Sequence, residues 1–325
     1  MIETLENTTI TSKKAVFLKE VLTGLNSVPK TLPSKYFYDK IGDALFQQIM
    51  ELDEYYLTQA EFEIFDQQKK QILQEFSPNG ESFNLVEFGA GDGYKTKVLL
   101  KYFLSQKVDF EYIPIDISQN ALDGLKKTLN QEIPDLNITP MQGDYFQVLD
   151  RLSHATSKKN IILFLGSNIG NFSPTESTKF LSQIRADINM GDHLMIGIDL
   201  KKDPAKILAA YNDQDGITAE FNLNLLHRIN KELDANFNPE QFKHYPFYNP
   251  ITGECKSSLI SLQDQEVKIG NSTIHLSQWE PIHTEVSRKF SLKEIHDLAA
   301  RCGFCITSDL SDRHGYFVDS IWKAV

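Results

Sequence analysis

The stretch that most constrains this chain is an apolar segment, Leu85-Val86-Glu87-Phe88, which is followed at once by Gly89, Gly91 and Gly93. Glycine adopts positive φ easily and lets a ligand come close to the backbone. The helix predicted next, from Tyr94 to Leu104, would offer unpaired N–H groups to such a ligand. A strand, a glycine loop and a helix in this order bind nucleotide-like cofactors. The spacing is G-x-G-x-G rather than G-x-G-x-x-G, which weakens a dinucleotide interpretation.

Acidic residues end the strands that the sequence predicts here. Glu87 lies in the first strand, Asp116 ends the second, and Asp144 follows the third within Gln142-Gly143-Asp144-Tyr145. A carboxylate at the end of the second strand suits a ribose diol, and the third segment could hold an adenine. This ordered set favours S-adenosylmethionine, a sulfonium cation without a pyrophosphate, over NAD. The alternative is that Asp116 and Asp144 only cap helices.

Strands and helices alternate from Phe83 onward, which predicts a parallel sheet with helices on both faces. The segment 160–165 is apolar after its first residue, as a central parallel strand should be. Segments 304–309 and 316–322 are joined by a tight turn, so we expect them to be antiparallel. The expected fold class is therefore α/β: a doubly wound, Rossmann-like class I methyltransferase sheet whose last strand is antiparallel, an assignment made by analogy. Residues 201–289 break the alternation and predict a second, smaller α+β domain.

The net charge of the chain limits the kinds of partner that we expect it to bind. A net charge of −11 argues against a nucleic-acid partner. The sequence shows no apolar run long enough for a membrane span and no signal-peptide core in its first residues, so we expect a cytoplasmic protein.

The three cysteines of the chain suggest no disulfide framework. Cys302 and Cys305 are interpreted as structural, with Gly303 ending a helix. No metal is expected, because the histidines lack ligand spacing; the oligomeric state is left open.

Several further stretches together carry a resemblance to a known family. The chain resembles the histidine-specific methyltransferases of ergothioneine biosynthesis, which trimethylate the α-amino group of L-histidine. The matching stretches are Tyr36–Asp39, Glu54–Tyr56, Glu87–Thr96, Tyr112–Ser118, Phe164–Asn171, Asp203–Tyr211, Thr218–Asn222 and Thr284–Ser287.

The resemblance implies an S-adenosylmethionine-dependent enzyme that converts free L-histidine to hercynine, without a metal. The implied cofactor-binding residues are Gly89, Lys95, Asp116, Asp144 and Tyr145. The implied substrate-binding residues are Tyr56, Gly166, Asn171, Tyr211, Glu285 and Ser287, and the implied catalytic residues are Tyr38, Tyr56 and Asn171. The implied domains are a tail at 1–13, a methyltransferase domain at 63–200 plus 288–325, and a substrate-binding domain at 14–62 plus 201–287.

Two departures from the family pattern keep alternatives open. The glycine loop differs from the usual pattern after its first glycine but keeps Lys95, and Ser257 aligns where the histidine enzymes carry a methionine beside the imidazole. The substrate could therefore be another amino acid or a small amine. A non-catalytic, S-adenosylmethionine-binding regulatory protein is the other alternative, and the retention of Asn171, Tyr211 and Glu285 argues against it.

Overall fold

In this computed structural model, residues 13–152, 154 and 158–325 are described with their side chains, and residues 2–12, 153 and 155 by backbone alone. The helices are α1 Ile2–Leu25, α2 Lys40–Glu51, α3 Tyr56–Phe76, α4 Thr96–Ser105, α5 Gln119–Glu132, α6 Tyr145–Ala155, α7 Pro174–Asp187, α8 Pro204–Ala209, α9 Ile217–Leu233 and α10 Leu292–Arg301. The strands are β1 Lys30–Thr31, β2 Phe83–Phe88, β3 Phe110–Asp116, β4 Met141–Gln142, β5 Lys159–Phe164, β6 His193–Asp199, β7 Phe242–Tyr248, β8 Glu254–Ser261, β9 Gln265–Ile269, β10 Ser272–Leu276, β11 Pro281–Arg288, β12 Phe304–Ser311 and β13 Phe317–Ala324.

The chain divides into two compact units. Unit 1 comprises Met1–Tyr56 and Lys202–Ser287, and unit 2 comprises Leu57–Lys201 and Arg288–Val325. The domain boundary expected at residue 63 lies inside α3, whereas the units divide at the first residue of that helix. The physical reason is that Ala60 and Ile64 of α3 pack in a core of unit 2.

Unit 2 is built on one sheet. Its described strands follow the order β4-β3-β2-β5-β6-β13-β12. Strands β2 to β6 pair in parallel, and β13 is antiparallel to both β6 and β12. This is the predicted doubly wound arrangement with an antiparallel last strand, so the fold prediction is confirmed. The strand order reverses between β2 and β5, and the carboxyl ends of strands at such a switch point are where ligands bind.

Side-chain alternation along the strands places a hydrophobic core on each face of this sheet. Ile162 and Phe164 of β5 belong to one core, and Ile161 and Leu163 belong to the other. Successive strand residues point to opposite faces, so β5 is buried on both sides. The sequence predicts this burial from the apolar run of β5.

Unit 1 is a smaller α+β unit. Its larger sheet has the order β1-β11-β8-β7, with β1 parallel to β11 and β7 antiparallel to β8. A separate hairpin pairs β9 with β10 through Gly270, the turn that the sequence predicts. The core of this unit draws on α1, α9 and both sheets. Helix α9 contributes Phe221, Leu225 and Ile229, which recur at helical spacing.

The tail expected at residues 1–13 falls on residues whose side chains, apart from Lys13, lie outside the described set. Here the backbone is helical from Ile2 onward rather than irregular. The segment before Gly24 contains no proline or glycine that would stop a helix. Within the residues that the structure describes, no helix combines the length and apolar character needed to cross a membrane.

The double burial of β5 generates a stability prediction. Ile162→Ala should lower the free energy of unfolding by about 2–5 kcal/mol, because it removes buried methyl groups and leaves a cavity. Met190→Ala is the matched control at a position that is 78% exposed, and it should change stability by less than about 0.5 kcal/mol. Urea unfolding followed by circular dichroism checks both values. A loss below 1 kcal/mol for Ile162→Ala would contradict the placement of this strand.

Candidate active site

The loop that follows β2 has the conformation that its glycines predict. Gly89, Gly91 and Gly93 have φ of 65°, 56° and 68°. A Cβ atom on Gly89 would lie 3.1 Å from the Tyr145 hydroxyl, so a side chain there would crowd the loop. Tyr145 stacks on Phe88 with ring centroids 4.5 Å apart and an interplanar angle of 2°. The loop and the start of α6 therefore form one packed edge.

A buried carboxylate lies beneath this loop. Glu87 is 4% exposed and accepts hydrogen bonds from the Thr96 hydroxyl at 2.8 Å and the Tyr112 hydroxyl at 2.5 Å. Burial raises the pKa of Glu87 to about 7, although both hydrogen bonds and the charge of Lys95 act to lower it. This group therefore titrates near neutral pH.

Lys95 connects the glycine loop to a second buried carboxylate. Its ammonium group forms an ion pair with Glu61 of α3, whose side chain is fully buried. Burial disfavours the charge of Lys95, but the charge of Glu61 and the hydrogen bond to it outweigh burial and raise the pKa of Lys95. Lys95 thus stays positively charged next to the loop.

The two candidate ribose and adenine carboxylates lie at the same edge. Asp116 ends β3, and its Oδ1 accepts from the backbone N–H of Ser118 at 2.7 Å. Asp144 precedes α6, and its Oδ1 accepts from the backbone N–H of Phe146 at 3.0 Å. Asp144 is therefore a cap, as the alternative interpretation predicts, whereas Ser118 is the N-cap of α5. In each carboxylate the second oxygen can still accept from a ligand. Burial, followed by the charges of both residues, raises the pKa of Tyr145 to about 12.

The loop after β5 lies at the same switch point. Gly166 has φ of 73°, and Ser167, at φ of 58°, is a buried non-glycine residue in the left-handed region. The Ser167 hydroxyl accepts from the backbone N–H of Asp199 at 3.0 Å, which anchors this turn. A short 3₁₀ helix, Asn168–Asn171, follows and leaves Asn171 exposed. Cofactor candidates and the candidates Gly166 and Asn171 thus all follow carboxyl ends of strands in unit 2.

The other predicted substrate residues belong to unit 1. The Tyr211 hydroxyl donates to Ser287 Oγ at 2.8 Å, and both residues are buried. Glu285 is half-buried two residues before Ser287 on β11. Its charge acts on the hydroxyl of Tyr38, so these two side chains lie near each other. Lys202 donates to the Tyr56 hydroxyl oxygen at 2.7 Å.

Ser257, the departure from the family pattern, is 2% exposed in β8. Its carbonyl oxygen accepts from the Thr284 hydroxyl at 3.1 Å, and Thr284 also donates toward Asn222 of α9 at 2.9 Å. These bonds fix β8, β11 and α9 against one another.

Comparison with known proteins identifies the family. A model of the family described as "Histidine-specific methyltransferase, SAM-dependent" matches residues 17–324. The chain belongs to this family. It is 32% identical over 301 residues to a histidine N-alpha-methyltransferase of Mycolicibacterium smegmatis, covering 92% of each chain. It is 34% identical over 274 residues to the enzyme of that name in Mycobacterium tuberculosis, covering 84% of each. A 4-dimethylallyltryptophan N-methyltransferase of Claviceps fusiformis is 26% identical over 306 residues, covering 87% of this chain and 85% of the relative.

This methyltransferase uses S-adenosylmethionine as its methyl donor. The residues present fit that molecule, because the positive-φ glycine loop leaves its backbone accessible and Lys95 supplies a cation for a carboxylate. No group of three histidine, cysteine or acidic side chains that could hold a metal ion occurs among the described residues. Cys302 is the C-cap of α10, and Gly303 with φ of 84° follows, so Gly303 ends this helix as the sequence predicts.

Sequence reasoning missed Glu61, which the structure connects to two predicted site residues. Its Oε1 accepts from the backbone N–H of Gly166 at 2.8 Å, in addition to the ion pair with Lys95. The one signal in the sequence is a glutamate next to Ala60 and three residues before Ile64, on the apolar face of α3. A buried position for a carboxylate predicts a partner, but it does not say which one.

Glu87 generates a pH-dependent stability prediction. The unfolded state releases this proton near pH 4.5 and the folded state near pH 7, so the folded state binds more protons between these values. Stability should therefore fall by about 3 kcal/mol as the pH rises from 4.5 to 7 through this one group. Glu87→Gln is neutral at every pH and should remove that fall.

Urea unfolding at pH 5 and pH 8 measures the difference. Asp135→Asn, at an exposed position of the same unit, is the control and should keep the wild-type pH dependence. If Glu87→Gln lost as much stability between the two pH values as the wild type, Glu87 would not be the titrating group.

Proposed function

We propose that this methyltransferase transfers methyl groups from S-adenosylmethionine to the α-amino group of free L-histidine, three times in succession, to give hercynine. The observation that carries the proposal is the polar cluster of unit 1, where Tyr211 donates to Ser287 at 2.8 Å and Glu285 lies two residues away. Membership of the histidine-specific family and two relatives named histidine N-alpha-methyltransferases support it. The free cysteines suit a reducing, cytoplasmic setting.

The cluster suits an imidazole side chain. A half-buried carboxylate such as Glu285 favours a donor or a cation, and imidazole provides either near its ordinary pKa. Ser287 Oγ accepts from Tyr211, and a serine hydroxyl is both a donor and an acceptor, which suits an imidazole nitrogen in either role. Tyr38, Tyr211, Glu285 and Ser287 are thus proposed to contact the substrate from unit 1.

The cofactor is proposed to bind unit 2 through Gly89, Lys95, Asp116, Asp144 and Tyr145. Lys95 supplies the positive charge for the methionine carboxylate, and Asp116 supplies the acceptor for the ribose hydroxyls. Gly166 and Asn171, which also belong to unit 2, are proposed to bind the substrate. Asn171 can accept or donate a neutral hydrogen bond there.

The chemistry needs little more than positioning. When bound, the sulfonium group presents an electrophilic methyl that an amine attacks in line, and holding the two in register lowers the barrier. The amine must first lose its proton. Tyr38, Tyr56 and Asn171 are proposed to orient the amine, and its proton can leave to water.

A second candidate is the same chemistry on a bulkier amino acid. Ser257 is smaller than the methionine that the resemblance leads us to expect, and it is buried in unit 1. The Claviceps relative carries the name of a modified tryptophan. If histidine is not methylated, these two observations favour an amino acid with a larger ring as the substrate.

The first functional prediction separates these substrates. Incubated with S-adenosylmethionine and an equimolar mixture of histidine, histamine, phenylalanine and tryptophan, the protein should add mass chiefly to histidine. Histamine lacks the carboxylate, for which Asn171 and Tyr211 are the proposed hydrogen-bond partners, and losing those bonds to a charged group should lower its kcat/KM about tenfold to a hundredfold. Mass spectrometry of the mixture gives the answer, including the number of methyl groups. Preferred methylation of tryptophan would select the second candidate, and no methylation of any amino acid would reject both.

The second functional prediction concerns Glu285. Glu285→Ala removes the carboxylate that favours a donor, so the ratio of kcat/KM for histidine over phenylalanine should fall about tenfold or more. Glu266→Ala, at an exposed position of β9, should leave the ratio unchanged. An unaltered ratio in Glu285→Ala would remove Glu285 from side-chain recognition while leaving the methyltransferase assignment intact.

A further inference from the structure

Three ionisable side chains from distant parts of the sequence meet in unit 2, behind the glycine loop. They are Glu61 of α3, Lys95 just before α4, and Asp319 of β13. Glu61 and Asp319 are both 0% exposed. A buried charge without a partner is costly, so the protonation of this cluster has to be accounted for.

Glu61 holds two segments of the candidate cofactor site at once. One carboxylate oxygen accepts from Lys95, which follows the loop after β2, and the other accepts from the backbone N–H of Gly166, which follows β5. These segments flank the switch point of the sheet. Glu61 therefore fixes the distance between the ammonium group of Lys95 and the turn at Gly166.

Space for this carboxylate comes from a glycine in a strand. Gly197 lies in the middle of β6, where every residue is buried. A Cβ atom on Gly197 would collide with Glu61 Oε1 and lie 3.2 Å from Asp319 Oδ1. The two carboxyl groups thus converge over Gly197, and only a residue without a side chain fits there.

Asp319 has no donor for either oxygen among the described residues. Both oxygens of Glu61 already accept hydrogen bonds, so an ionised Asp319 would place two buried carboxylates beside one ammonium group. Glu87 adds a further acidic group near Lys95. The nearby Asp199 pairs with Lys289 at 2.9 Å, so that lysine is already matched. Burial, followed by the charge of Glu61, raises the pKa of Asp319 well above its usual range, although Lys95 acts to lower it.

We propose that Asp319 is a neutral carboxylic acid whose O–H group donates a hydrogen bond to the Glu61 carboxylate. The pair then acts as a positioning device for Lys95 and the Gly166 turn. The shared proton leaves one negative charge to match one ammonium group. Lys95 is then held by a single negative charge rather than by two carboxylates, so its ammonium group can still attract the carboxylate of the methyl donor. This inference rests on the proposed role of Lys95 in cofactor binding.

The protonation state has a direct spectroscopic test. The infrared difference spectrum of wild type minus Asp319→Asn should contain the carbonyl stretching band of a buried protonated carboxylic acid. Glu61→Gln should also abolish that band, because Asp319 would then release its proton and become the carboxylate partner of Lys95. Absence of the band from the wild type, with the variants folded, would overturn the shared proton.

Calorimetric titration with S-adenosylhomocysteine tests the positioning role. Asp319→Asn keeps a neutral donor for Glu61, so its Kd should stay near that of the wild type, whereas Asp319→Leu cannot donate and should raise the Kd about tenfold or more. Glu61→Gln should raise the Kd at least as far. The control is Glu63→Gln, two residues along α3, whose carboxylate binds the backbone N–H of Arg313; it should bind as the wild type does.

The outcomes separate this inference from the proposed function. If the wild type bound no S-adenosylhomocysteine, the cofactor assignment itself would fail. If the wild type bound it and Glu61→Gln bound it equally well, the positioning role would fail alone. Should Asp319→Leu not fold, Asp319→Asn and Glu61→Gln still decide the question, because each replaces a carboxylate by an amide of the same shape.

Discussion

Charge buried beneath the carboxyl edge of the unit 2 sheet must be matched, and this requirement organises the site. Glu87 is matched by hydroxyl groups of Thr96 and Tyr112, Glu61 by Lys95 and a backbone N–H, and Asp199 by the fully buried Lys289. These contacts join different segments, whose separation in the chain ranges from 9 residues for Glu87 and Thr96 to 105 for Glu61 and Gly166. Losing one partner would leave a charge or an acceptor buried alone, which costs more than the pair contributes. The polar site is therefore held by the same contacts that hold the fold.

The parallel sheet makes this arrangement possible. Parallel strands end at one edge, so loops that are distant in sequence meet there. The loop after β2 supplies positive-φ backbone, the loop after β5 supplies the Gly166 turn, and β3 and β4 lead to Asp116 and Asp144. The antiparallel β13 then brings Asp319 back into the sheet beside β6. A sheet without this last strand would have no group facing Glu61 from that side.

In unit 1, neutral hydroxyl groups are buried on a smaller framework of strands and helices. Two buried hydroxyl groups there form hydrogen bonds within the unit: Tyr211 donates to Ser287, and Thr284 donates to the backbone of Ser257. Such bonds fix side-chain orientation at little entropic cost during binding, which is the condition for selectivity. The proposed site residue Glu285 lies on this framework, two residues before Ser287 on β11.

The sequence by itself determined the α/β class, the glycine loop, the doubly buried β5 and the antiparallel end of the sheet, because these depend on local periodicity and on glycine conformation. It also indicated S-adenosylmethionine through the ordered acidic residues. It did not indicate β7, in which Pro246 interrupts the strand pattern. It also did not indicate α6, a short amphipathic helix that begins directly after the capping residue Asp144. Only the tertiary structure decided which groups share charge: the pairing of Glu61 with Lys95 spans 34 residues, and Asp319 joins them from the opposite end of the chain. No local pattern encodes such contacts, because they arise from which strands lie side by side.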